Sequence, residues 1–503
     1  MKKADRYFYI IISLVLVVFE TVYIVKGEWS GDFWEHAAVV NELTGHLLHP
    51  RHPMLDLPSA HAFFSPYSLI VAVFSRITGL GPVMSLQCFA FFNLLLFVSS
   101  FYFFCRAIFR DNHNLVAGLS LIFILFFWGS SPFLWSGFYH IFVLNYVLPY
   151  PSTFAVALSF IVLGMLAGDK PGPGLKTVIT ITLTAVVFLS HPYTGLFLLI
   201  AVTAMVLVFY NASVKHIAFC FSLVLVVPIL LCCAWPYYSF VELMTGSNAG
   251  FHEISKGLCE RPAGIYWPVL LSLPAVLFLK KDKPLYFLLL AMAFMLLLAF
   301  AGYVSGSYGV LRIMSTVMLF AQVMIACAIV TIIKGNFKGA GKIYVAVVLF
   351  LFTAALIKNM PGLDKALNVA KPVDLTYYKR YEFLKTVVPA DAVVLANLMS
   401  SWYIPVFSGK VLASVHPLFL VNDNNERQDN VNMFFNPRAN DSLRETVILQ
   451  YRPAYVLIDN KRDSLSASTM AWLKSKGNIV YEKDSLQLII LNSAAFGAIE
   501  KQE

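Results

Sequence analysis

Residues 7–43 read YFYIIISLVLVVFETVYIVKGEWSGDFWEHAAVVNEL. Up to Val25 only Ser13, Glu20 and Thr21 interrupt an apolar run. A membrane helix needs about 20 mostly apolar residues, so the stretch predicts a transmembrane span over 7–26. It is too long and too aromatic for a cleaved signal, and no small-residue cleavage site follows it. The segment Gly31-Asp32-Phe33-Trp34-Glu35-His36 comes next, and helical spacing continues through Ala37, Val40 and Leu43. That pattern predicts an amphipathic helix lying on the membrane surface. Asp32 sits at its start, where a carboxylate can cap the helix and is favoured by its dipole. Asp32 and Glu35, three residues apart, share a face. A cap with a solvated acid is the bland alternative. Acids are scarce in this part of the chain, however, and unpaired charge at a lipid interface is costly.

The rest of the chain extends the first theme. Hydrophobic residues make up 59% of the 503 residues and charged residues 13%, against about 25% charged in soluble proteins. This excludes a soluble enzyme, a disordered chain and a disulfide scaffold. Eleven spans are expected near 7–26, 82–105, 114–134, 150–168, 177–190, 194–211, 217–236, 264–279, 285–303, 309–333 and 343–360. Lys2, Lys3 and Arg6 precede the first. Arg106 and Arg110, Lys170 and Lys176, Lys215, Lys280–Lys283 and Lys334–Lys342 then mark alternate loops. Basic loops face the cytoplasm, which places the N-terminus inside and the C-terminus outside. This accounts for the net charge of +9 without a nucleic-acid partner. The weak point of the count is His191-Pro192, read as a break between two short spans. The seven Cys have neither staple nor metal spacing and are expected to be free thiols.

Residues 1–360 thus read as a membrane domain and 361–503 as a second domain outside. The tail has 16 Lys/Arg against 15 Asp/Glu, so the positive excess belongs to the membrane part. Its apolar runs Ala392–Ala396, Tyr455–Ile458 and Leu486–Leu491 are strand-like. They alternate with helix-like stretches at Leu375–Val387, Ser442–Tyr451 and Ser468–Lys476, which predicts a small α/β domain.

Polar groups gather on the outer side, where nine of the eleven His fall by this topology. The first loop holds Arg51 and His52, and a second apolar stretch, Leu69–Leu80, too short to span. His46, His49 and His52 recur every three residues. Pro50 interrupts them and no carboxylate cluster accompanies them, so ordinary interfacial or lipid-phosphate contacts are favoured over metal. The second outer loop contributes Trp135, Tyr139, His140, Asn145 and Tyr146. His191 lies at the break between spans. His252, Glu253, Lys256, Glu260 and Arg261 occupy the fourth loop. Arg312 opens the tenth span, where an Arg either snorkels to the headgroups or pairs with a phosphate. In the tail, Trp402 stands among Asn397, Ser400, Ser401 and Tyr403, followed by His416-Pro417 and Asn422–Arg427. These form either a solvated loop or an edge for a glycan acceptor.

This arrangement resembles the GT-C type of membrane glycosyltransferases, which includes the protein mannosyltransferases, the aminoarabinose transferases and the arabinofuranosyltransferases. The resemblance covers the eleven spans, the inside N-terminus, the acidic motif opening the first outer loop, the two surface helices in that loop and the outer C-terminal domain. Phe63–Gly79, with Pro66-Tyr67 and Thr78-Gly79, looks like the second surface helix of that fold. The resemblance implies a polyprenyl-phosphate-sugar donor and a catalytic carboxylate at the position of Asp32, with Glu35 the other candidate base. Some members carry a further acid in the second outer loop; Trp135–Pro151 has none, which argues for a metal-free site.

The residues fit such chemistry on their own terms. An acceptor hydroxyl must lose its proton as it attacks the anomeric carbon, and a positioned carboxylate can take it. The departing lipid phosphate needs fixed donors, for which Arg312, His191 and His36 are candidates. Trp34, Arg51, His52, Tyr139, His140, Lys256 and Trp402 are candidate substrate contacts. The expected partners are the lipid-linked donor, a glycan, lipid or protein acceptor, and membrane lipids, at a bacterial inner membrane. Two other classes remain open: a glycan polymerase or ligase, and a lipid-linked-glycan transporter. The latter would usually show paired repeats and polar groups at mid-membrane.

Overall fold

Every apolar segment expected to span lies on a helix. The chain runs through α1 (Lys2–Lys26), α2 (Phe33–Gly45), α3 (Pro66–Thr78), α4 (Pro82–Phe109), α5 (His113–Phe126), α6 (Pro151–Gly168) and α7 (Leu175–Ser190). It continues through α8 (Pro192–Phe209), α9 (Val227–Cys233), α10 (Pro262–Ser272), α11 (Lys283–Val304), α12 (Met314–Lys334) and α13 (Ala340–Asn368). The computed structural model describes residues 2–27, 29, 31–129, 137–168, 174–210, 221–245, 255–278, 282–335, 339–368, 377–416 and 420–492. Two units result. One comprises 1–28, 87–241 and 249–371; the other comprises 29–86, 242–248 and 372–503.

In the first unit, six helices are long and apolar enough to cross a membrane: 7–26, 82–109, 192–209, 283–304, 308–334 and 340–359. The other five expected spans coincide with shorter apolar helices or helix pairs. The break at His191 is real. Helix α7 ends at Ser190, Pro192 opens α8, and the His191 ring accepts the Thr194 amide. Helix α12 is central, buried without interruption from Ser315 to Val330. By contrast α1 and α13 leave Ile10, Leu14, Val18, Ile343 and Phe350 exposed, a pattern suited to lipid. Helix α13 continues to Asn368, past the boundary expected near 360. Cys88, Cys105, Cys232, Cys233 and Cys327 are free thiols.

In the second unit, five strands pair in the order β2-β1-β3-β5-β4. They are β1 (Val393–Leu395), β2 (Lys410–Val411), β3 (Tyr455–Asp459), β4 (Gly477–Lys483) and β5 (Leu486–Leu491). The first three are parallel, and β5 is antiparallel to both β3 and β4. Helices α14 (Leu398–Ser401), α15 (Ile404–Phe407), α16 (Asn424–Phe435), α17 (Asp441–Tyr451) and α18 (Ala467–Lys476) complete it. Leu395, Phe434, Ile448, Val456, Leu473 and Ile489 belong to its core. The three strand-like runs become β1, β3 and β5. Strand β4 escapes a composition reading because its alternation carries Asn478, Glu482 and Lys483 outward. The helix-like stretch at 375–387 is instead a 3₁₀ turn at Tyr377–Tyr381 and a single turn at Leu384–Val387, with 375–376 outside the described residues.

The first loop belongs to this unit. Leu55 forms a parallel bridge with Val411 at the edge of β2, and the Val411 amide donates to Met54 O at 2.8 Å. Asn41 donates to Pro405 O at 3.1 Å. Two helices occupy the loop as expected, in different settings. Ser65 caps α3, Pro66 fills its first turn, and Gly79 closes it at φ +71°, each the residue favoured there. Helix α3 buries Tyr67, Val71, Ala72 and Ser75 and leaves Ile70, Val73 and Ile77 open, which suits a helix lying on lipid. Helix α2 is buried at every residue from Phe33 to Val40, packed on α3 and α15. An open amphipathic helix is therefore the wrong picture for α2: its polar side faces protein.

Candidate active site

A buried polar face on α2 has to be paired, and its acids show how. Asp32 does not cap the helix. Its Oδ1 instead lies 3.3 Å from Nε2 of His416. One turn on, Glu35 Oε2 lies 3.2 Å from Nδ1 of the same ring, and Oε1 lies 3.1 Å from His61 Nε2. Glu42, seven residues after Glu35 and so on the same face, meets Lys410 Nζ at 2.7 Å. It also accepts the Arg51 amide at 2.9 Å and faces His46 at 3.1 Å. Lys410 further donates to the His52 carbonyl at 2.8 Å.

The two acids nearest His416 differ in access. The Glu35 side chain is 4% exposed and that of Asp32 45%. Burial alone would raise the Glu35 pKa; hydrogen bonds from His416 and His61 outweigh it and hold the carboxyl well below the usual carboxylate range. The Phe63 amide donates to His61 Nδ1, which leaves the Nε2 proton for Glu35. For His416, burial pulls the ring pKa down, but the Glu35 hydrogen bond and the charges of Asp32 and Glu35 raise it above the ordinary histidine value. Only an imidazolium donates from both nitrogens.

The other expected residues fall into place around this cluster or in the membrane unit. His36 stacks on Phe63 at 4.4 Å, and burial lowers its pKa to about 4, so the ring is neutral at pH 7. His52 is fully buried and accepts the Met54 and Leu55 amides, shaping the turn. Arg51 pairs with Asp391 at 2.9 Å, both well exposed. Trp34 is buried against Phe33, Tyr378 and Tyr403. Trp402 presents its ring to the His416 imidazole at 5.1 Å, nearly perpendicular.

In the membrane unit a cationic patch forms at the start of α12. The Arg312 guanidinium lies over Tyr193 at 5.2 Å, and its Nε donates to Ser255 Oγ at 3.3 Å. His191 lies edge-on to the same tyrosine, and its Nδ1 is 2.7 Å from Thr194 Oγ1. Lys256, next to Ser255, is exposed and lies over Tyr308. Tyr139 is buried on Phe97, and His140 is buried with Nδ1 accepting the Phe142 amide. Trp135, His252 and Glu253 lie outside the described residues. Among the described residues no group of three or more His, Cys, Asp or Glu could hold a metal ion.

Sequence reasoning passed over His61, Glu42 and Lys410, and treated His416 only as part of a polar loop. Glu42 had a signal, an acid two turns from Glu35 on an otherwise apolar helix. His61, Lys410 and His416 had none, since each meets its acid only through the fold.

No family model and no curated protein sequence matches the chain. Two solved structures share its fold. ArnT from Cupriavidus metallidurans bound to undecaprenyl phosphate aligns with a TM-score of 0.51 at 11% identity, over 98% of this chain and 99% of that one. The same protein in its apo state gives 0.50 at 12%, over 97% and 99%. ArnT is a GT-C glycosyltransferase, so the architecture that the sequence resembles is the one found.

Proposed function

We propose that this chain is a membrane glycosyltransferase that moves a sugar from a polyprenyl-phosphate donor to an acceptor hydroxyl, with inversion and without a metal. The observation that carries this reading is Asp32. It is an accessible carboxylate at the head of the helix after the first span, held by His416 beside a buried, ionised Glu35. Between the two candidate bases this favours Asp32. Both Glu35 oxygens are already engaged by rings, whereas Asp32 can meet an acceptor from solvent. As the acceptor oxygen bonds to the anomeric carbon, its proton passes to Asp32. The bond from that carbon to the phosphate oxygen breaks, and polyprenyl phosphate leaves with the electron pair. Arg312, with Lys256 and His191, supplies the donors suited to the departing phosphate.

The shared fold with ArnT, one of whose structures holds undecaprenyl phosphate, supports this class of donor. Residues 1–360 carry the spans in this reading and 361–503 an outer domain. The N-terminus is cytoplasmic, and transfer takes place on the outer face of the inner membrane. A glycan, a lipid or a protein hydroxyl all satisfy the acceptor chemistry.

The test is release of undecaprenyl phosphate, read by mass spectrometry, from a panel of undecaprenyl-phosphate-linked hexoses and pentoses supplied with membrane extract as acceptor. Asp32→Asn is expected to lower release by about 10²–10⁴, the usual share of a general base. Chelator is expected to leave it unchanged. Full activity in the Asp32→Asn protein would sink the assignment of the base, and loss of activity with chelator would sink the metal-free mechanism.

A further inference from the structure

His416 comes from the tail, 381 residues after Glu35, yet both of its nitrogens face the carboxylates of α2. We propose that His416 is the positioning residue of this site: as an imidazolium it bridges Asp32 and Glu35, holds the Asp32 carboxylate in place for proton transfer, and releases it on losing its proton. This rests on the reading of Asp32 as the base.

The geometry supports the bridge from both ends. The backbone that carries the ring is pinned by α16. Asn424 donates to His416 O at 3.1 Å, and Gln428 donates to Ser414 O at 2.6 Å and to Val415 O at 3.1 Å. Trp402 closes against the ring. On the far side Glu35 is anchored through Oε1 to His61, itself fixed by the Phe63 amide. The titratable groups facing the ring are Asp32 and Glu35, with the neutral His36 and His61 acting on it only through Glu35's surroundings.

The asymmetry of the two acids dictates what deprotonation does. A neutral ring has one N–H and keeps one carboxylate. Glu35 is buried, and an uncompensated buried charge is far more costly than an exposed one. The retained bond is therefore to Glu35, and Asp32 is the acid set free. A lone carboxylate base gives a rate that levels off above its pKa. A carboxylate held by His416 gives a rate that rises and then falls, and the alkaline fall belongs to the histidine.

Two measurements on the full-length protein in detergent test this. Deuterium exchange at histidine C2, followed by mass spectrometry across pH, reads His416 without any substrate. The midpoint is expected to lie above that of free histidine and to drop in both Asp32→Asn and Glu35→Gln. A midpoint at or below free histidine, or one indifferent to Asp32→Asn, overturns the bridge. The pH profile of undecaprenyl phosphate release then reads its role. His416→Gln is expected to lose about 10²-fold, the scale of a reacting group misplaced by an ångström. His416→Lys, which keeps the charge, is expected to retain more activity and to lose the alkaline fall seen in the wild type. An alkaline fall unchanged by His416→Lys overturns the positioning role. Absence of release from the wild type would count against the transferase reading, and the exchange midpoints would then decide the bridge by themselves.

Discussion

Two helices of this protein are buried along most of their length, in opposite ways. Helix α12 runs from Ser315 to Val330 without an exposed residue and without a charge. Helix α2 is buried from Phe33 to Val40 but carries Glu35 and Glu42, with Asp32 at its head. The first is stabilised by apolar packing alone and demands nothing specific of its neighbours. The second holds ionised groups where desolvation costs several kcal/mol each. It persists because His61, Lys410 and His416 stand opposite those groups. A buried apolar helix is a membrane element; a buried acidic helix whose partners come from far along the chain marks a site.

The largest way to break this contrast is to remove a partner. Lys410→Met leaves Glu42 buried and charged with only the Arg51 amide and His46. Loss of one member of a buried pair costs about 3–5 kcal/mol. A marked fall in thermal stability in detergent is expected, and the double variant Glu42→Leu/Lys410→Met is expected to recover most of it. Equal stability of Lys410→Met and wild type would mean that the α2 acids are not held by their partners.

The same contrast explains what could be read in advance. Helix α12 and the other spans declare themselves by hydropathy, because lipid asks only for apolar length. Helix α3 declares both its ends through Ser65-Pro66 and Gly79. Strands β1, β3 and β5 show as apolar runs because both faces are covered. The site is legible only in part. Asp32 and Glu35 stand out by their scarcity and spacing, and Arg312 by its place at a span end. Their setting does not stand out, because whether α2 lies open or buried is decided by α15 and by a strand edge more than 360 residues later. Hydropathy cannot register a pairing of that kind.

A second test separates a buried neutral ring from a buried charged one. His36 and His416 flank the same acid, and their pKa values move in opposite directions. His36 titrates at about 4 when folded and at about 6.5 when unfolded. Between those values the unfolded chain binds the extra proton, so His36 makes stability rise with pH. His416 is raised, so its contribution is fully present below about 6.5 and is lost as pH climbs through its folded value. His36→Phe, which keeps the stack on Phe63, is therefore expected to flatten the acid limb of melting temperature against pH. His416→Gln is expected to flatten the alkaline limb instead. If His36→Phe altered the alkaline limb, the two rings would not be independent members of the cluster.

The smallest expected effect sharpens the contrast by holding charge type constant. Arg51–Asp391 and Lys410–Glu42 both join the first loop to the tail, at 2.9 and 2.7 Å. The first pair is 60% exposed on each side, while the second is 6% and 9% exposed. Water already solvates Arg51 and Asp391, so their attraction is screened and the ordering of two side chains offsets much of it, leaving about 0–1 kcal/mol. Arg51→Ala is thus expected to shift the melting temperature slightly, with the shift shrinking further in high salt, whereas salt is expected to leave the cost of Lys410→Met nearly unchanged. If Arg51→Ala instead matched Lys410→Met, distance and not burial would govern how the loop is fixed. The contrast between the two helices would then lose its physical basis.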